Sequence, residues 1–85
     1  MDDHSGEALR HVGHRLALLR AQHGQAIGHA GLPPAEFAAL LHIEPILYEA
    51  CESGRTDPPV VLLAALHRRT GVSLDWLIAG AQEAE

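Results

Sequence analysis

The chain has no lysine. All six of its basic residues are arginine, set against eleven aspartates and glutamates, for a formal charge of -5. That balance excludes a protein that binds nucleic acid by broad positive potential, because nonspecific affinity comes from neutralising phosphates. A local basic patch is not excluded. Seven histidines qualify the figure, since protonating all of them moves the total from -5 to +2, a change centred near pH ~6.5 for unperturbed imidazoles. Cysteine is almost absent as well: Cys51 stands alone, which excludes an internal disulfide and a cysteine-pair metal site and fits a reducing cytoplasm. Long apolar runs are missing too. The longest, Val60 to Leu66, falls far below the ~20 residues that cross a bilayer, and the acidic opening MDDHSGE is the wrong flank for a signal peptide. The expectation is a soluble, cytoplasmic protein with no membrane role.

What is present is helix-forming. At 85 residues there is room for a single domain, 1–85, with a small core that covers roughly 60–65% of the unfolded surface. Leu9, Val12, Leu16 and Leu19 recur at three- and four-residue steps and mark one face of a first helix, with Ser5 as its cap, Glu7 in its first turn and Gly24 at its end. GQAIGHAG, with three glycines in eight residues, reads as a loop or a weak helical extension. Pro33 and Pro34 open a second helix whose buried side is Phe37, Ala38, Leu40 and Leu41. Pro45 opens a third, ended by Gly54, in which Tyr48 and Cys51 share one face. Asp57 caps a fourth that starts at Pro58 and runs to about Thr70, Gly71 stops it, and Ser73 caps a fifth that Gly80 ends. No alternating strand pattern occurs. The spacing therefore predicts an all-α fold of five short helices.

The closing stretch GVSLDWL, Gly71 to Leu77, resembles the end of the Xre family, the Cro and phage-repressor type of helix-turn-helix domain. Without a gap, Gly31 and Leu32 fall on that family's Gly-Leu, Phe37 and Ala38 on its Leu-Ala pair, Leu41 and Ile43 on its buried turn positions, and Tyr48 and Cys51 on two isoleucines. Glu52 and Gly54 match its Glu-x-Gly and Pro58 its loop proline, while Val12 to Arg20 is similar to its first helix. The resemblance spans residues 12–80 and implies a lambda-repressor-like domain concerned with transcription control. Residues 25–31 are additional to the family pattern and read as an insertion. A competing register, with QAIGHAGLP as the turn and PPAEFAALL as the reading helix, needs gaps elsewhere and supplies no basic residue either.

The third helix departs from the family chemically. Where the pattern places small polar and basic side chains on the groove-facing side, this chain has Glu44, Pro45, Ile46, Leu47, Glu49 and Ala50. Bases are read in the major groove by donors and acceptors, typically Arg, Gln or Asn, and Ile46 and Leu47 can touch only thymine methyls. The same two side chains would contribute roughly 1.5–3 kcal/mol each if buried on a protein. The expected partner-binding face is therefore Pro45, Ile46, Leu47, Glu49 and Ala50, on a regulator of antirepressor, antitoxin or adaptor type. Two other outcomes stay open for Ile46 and Leu47: covering the domain's own core, or self-association. A direct, dimeric DNA-binding regulator is the alternative function, with Arg15, Arg20 and Arg55 as phosphate contacts and Trp76 and Ile78 as dimer contacts. Two or three such contacts imply only a shallow salt dependence, a log-log slope of about -2 to -3.

Chemistry beyond binding is not indicated. His11 and His14 lie one helical turn apart and the other histidines are scattered, with no HExxH or Cys-His spacing. Cys51 reads as a small core residue and Trp76 as a core or interface anchor. No constellation of convergent polar groups suggests an enzyme, a cofactor, a metal or a small-molecule substrate.

Overall fold

The computed structural model describes residues 3–80, with side chains from residue 6 onward. Every regular element among them is helical: α1 (Asp3–Ala26), α2 (Pro34–Leu41), α3 (Pro45–Glu52), α4 (Val60–Thr70) and α5 (Leu74–Ala79). α3 packs against both α1 and α2, α5 lies on α1, and α4 packs on α2. The α1 stripe delivers Val12, Leu16 and Leu19 to a core completed by Phe37, Tyr48, Leu62, Leu66 and Leu77, all buried. Each fully buried leucine contributes about 1.5–3 kcal/mol relative to leaving it in water. The rings of Phe37 and Tyr48 meet edge to face, centroids 5.5 Å apart at 84°, and the His23 ring lies tilted against Phe37 with centroids 5.7 Å apart.

The helix boundaries follow backbone chemistry. Pro33 and Pro34 stand at the N-cap and first position of α2, and Pro45 opens α3, where a missing N–H costs nothing. α2 ends in His42, held in the left-handed region at φ 60 with its N–H on the Ala38 and Ala39 carbonyls, while Ile43 N–H returns to Ala38 O at 3.0 Å. That reversal leaves only His42, Ile43 and Glu44 between α2 and α3. Ser73 caps α5 as expected, its Oγ accepting from Trp76 N–H, and Gly71 and Gly80 close α4 and α5 at positive φ.

Three expected boundaries are corrected. Ser5 lies inside α1 rather than capping it, because the helix already includes Asp3. Gly24 does not end α1. It is buried two residues before the helix end, and the chain folds back so closely that a Cβ there would stand 2.6 Å from His29 O and 2.9 Å from the Leu32 Cβ. Of the additional segment 25–31, Gln25 and Ala26 extend α1, and the reversal falls after them, with Gly28 and Gly31 at positive φ. α4 begins at Val60, two residues later than expected; Pro59 is its N-cap and the Asp57 side chain makes no cap bond.

Candidate functional site

α3 is positioned by its inward residues. Tyr48 and Cys51 are fully buried, and Leu47 is half-buried and packs on the core. The helix crosses α1 at Gly13, where any Cβ would overlap the Glu52 carbonyl, and at Gly54, where a Cβ would come within 3.1 Å of the Arg10 backbone. Close approach thus depends on two glycines that carry no side chain.

One polar knot reinforces that crossing. Arg20 from α1 grips Glu52 with Nε and Nη2 at 2.8 and 2.9 Å, and its Nη1 donates to Leu32 O at 2.8 Å. The Tyr48 hydroxyl donates to the same carboxylate. Bonding to Glu52 raises the already high pKa of Arg20, and burial, followed by the bond to Glu52, pushes the Tyr48 phenol far above its usual value. Arg20 is therefore committed internally, and a phosphate would have to displace a paired carboxylate to reach it. Arg15 is occupied too: Nε donates to Leu77 O at 2.8 Å and Nη2 to Ile78 O at 3.2 Å, neutralising the carbonyl end of α5. Of the three arginines expected to meet phosphate, Arg55 alone is exposed and makes no side-chain ion pair among the described residues. Arg10, not singled out from the sequence, is exposed on α1 beside Gly54.

The outward stripe of α3 is what remains. Ile46 is 78% exposed, with Glu44, Pro45 and Glu49 exposed around it and Ala50 half-buried. Ser53, one turn beyond Glu49, turns its hydroxyl back to Ala50 O. The expected face Pro45, Ile46, Leu47, Glu49 and Ala50 is brought together except for Leu47, whose side chain turns toward the core because it follows Ile46 by 100° around the helix. This surface offers carboxylate acceptors and aliphatic carbon, and no exposed amide or guanidinium donor within the helix.

The expected dimer contacts separate. Trp76 is half-buried and packs on the core, whereas Ile78 is 47% exposed. With Leu9, Val12, Pro58 and Leu63, Ile78 lines an apolar depression of about 280 Å³, and Val60, one turn before Leu63, is exposed beside it. Cys51 is buried, its thiol raised by desolvation and then by Asp57, so the nucleophilic thiolate is disfavoured. Among the described residues no three His, Cys, Asp or Glu side chains converge on a metal-sized site, and no helix is long and apolar enough to cross a membrane. Compared with family models, curated proteins and solved structures, the chain finds no match.

Proposed function

We propose that the chain is an Xre-like, lambda-repressor-type regulator in which α2 and α3 form the helix-turn-helix pair and α3 binds a protein partner rather than bases. The gap-free correspondence from Gly31 to Leu77 and the three-residue junction between α2 and α3 support the fold. The observation that carries the function is Ile46. It is a large aliphatic side chain 78% exposed at the centre of the outward α3 stripe, flanked by exposed Glu44 and Glu49. Carboxylates facing a phosphate-lined groove are repelled, and an isoleucine makes no hydrogen bond to a base and can touch only a thymine methyl. Against a protein the same isoleucine is an anchor. An antirepressor, antitoxin or adaptor role in a reducing cytoplasm follows, with no enzymatic step.

The test is capture of a partner from the native cells by the tagged chain, with Ile46→Asp as the comparison. One protein recovered by the parent and lost by the variant, with the variant's helical spectrum unchanged, supports the reading. Equal recovery by both removes α3 from it.

A second reading, a dimeric DNA-binding regulator, draws on exposed Arg55 at the end of α3 with Arg10 beside it, and on the apolar depression around Ile78 as a self-association surface. Sequence-selective DNA binding abolished by Arg55→Ala would favour it. Light scattering that finds only monomer at high concentration would remove its dimer.

A further inference from the structure

The longest unbroken run of positive charge on the chain lies away from α3. Arg68 and Arg69 occupy the last turn of α4, and with His42 at the end of α2 they border an open depression of about 190 Å³ floored by Leu40, Leu41 and Ala65. No aspartate or glutamate lines it. His42 is exposed at its left-handed position, and both arginines are exposed. The third basic residue of that turn, His67, is drawn aside by its ring contact with Val72 O at 3.0 Å.

Cations in a last turn have an ordinary explanation, complementing the negative end of the helix dipole. Magnitude decides whether that suffices. Two helix ends, those of α2 and α4, present roughly half a negative charge each, so two guanidiniums leave about one positive charge uncompensated before His42 is counted. Arg69 is also oriented: its Nε donates to His23 Nε2 at 3.4 Å, which steadies the head group and leaves the two Nη groups for another acceptor. His23 is suited to accept, because burial and then Arg69 itself lower its pKa and favour the neutral ring.

We propose that this depression binds a phosphate-type oxyanion, held by Arg68 and Arg69 with a ring N–H of His42 as a third donor. Planar guanidinium forks match the oxygens of such a group and bind it more strongly than a neutral donor would. The phosphate has two sources, a free phosphate or phosphomonoester, or the backbone of a polynucleotide. The site is independent of the α3 reading and stands or falls separately.

The test is amide and arginine-side-chain NMR of the full chain at pH 7.5, titrated with inorganic phosphate while sodium chloride holds ionic strength constant. Saturable shifts confined to His42, Arg68 and Arg69 are expected, weakened at least about tenfold by Arg68→Gln combined with Arg69→Gln, the loss of charge-assisted hydrogen bonds. Arg68→Gln alone, which leaves the Arg69–His23 contact intact, should weaken binding to a smaller degree and guards against a folding effect in the double variant. A short random-sequence duplex forms the second arm. If it displaces phosphate from the same resonances, the source is a polynucleotide; if it leaves them untouched, the source is a small phosphate. Shifts that fail to saturate, that chloride reproduces, or that persist in the double variant overturn the proposal.

Discussion

Arg20 shows how a single residue's role turns on a contact 32 positions away. On the first helix it reads as a solvated cation available to phosphate; in the fold it is the hub of four hydrogen-bonding groups at the α1–α3 crossing. Nothing in local spacing pairs it with Glu52, so this part of the site was not legible, whereas the shared face of Tyr48 and Cys51 was, from helical periodicity, with the family resemblance implying that this face is buried. Both members of the pair are partly screened, with side chains 20% and 14% exposed, so Arg20→Ala should cost about 2–3 kcal/mol, below the range for a fully buried pair. Urea denaturation measures it. Glycines at two positions of the same helix give opposite outcomes on substitution. Gly13→Ala forces a methyl into the Glu52 carbonyl and should destabilise by about 2–3 kcal/mol or more. Gly6→Ala meets nothing nearer than Arg10 Nη1 at 3.6 Å and should stabilise by about 0.5–1 kcal/mol through helix propensity. Thermal melts of the two variants should bracket the parent. His23 adds a pH dependence: its folded pKa lies below 6.5, so the unfolded chain binds the proton more readily. Its contribution is whole above 6.5 and is lost as pH falls from there through the lower folded value. The denaturation midpoint should drop between pH 7.5 and 5.5, and His23→Gln should flatten that drop.

At the scale of helices, the signals that worked were those with a local backbone cause. Prolines at first-turn positions, Ser73 as a cap and glycines at positive φ place five of the boundaries within a residue. Gly24 misled because a glycine needed for close chain approach looks the same in sequence as one needed to reverse direction, and only its neighbours in space, His29 and Leu32, distinguish the two. The start of α4 misled for a related reason: Asp57-Pro58-Pro59 carries two prolines able to stand at a helix start, and the chain uses the second as the N-cap. Of the expected outward face of α3, Pro45, Ile46 and Glu49 are exposed whereas Leu47 and Ala50 are half-buried, so the sequence marked the stripe without separating its members. Ile46→Asp should leave stability within about 0.5 kcal/mol because the side chain is already in water. Leu47→Asp should cost about 2 kcal/mol or more, since it places a carboxylate against the core. Chemical denaturation of the pair separates the surface role of one from the packing role of the other, and it makes Ile46→Asp the substitution with which to probe binding.

For the molecule as a whole, the net charge of -5 and the internal use of Arg15 and Arg20 act together. A chain with three phosphate-facing arginines would lose DNA affinity with salt at a log-log slope near -3; with Arg55 and Arg10 left on the α3 side, the slope from that face should be no steeper than about -2. The all-helical architecture could be read from periodicity and punctuation, whereas the distribution of cations over the surface depends on which carboxylates and carbonyls each arginine finds after folding. On the proposed reading α3 does not read bases. The most direct test of that reading is a fluorescence titration of mixed genomic and random DNA fragments with the full chain at pH 7.5 over several salt concentrations. Weak binding with no preference between the two pools, unchanged by Ile46→Asp, is the predicted result. A tight complex with selected fragments that is lost on Arg55→Ala would contradict it.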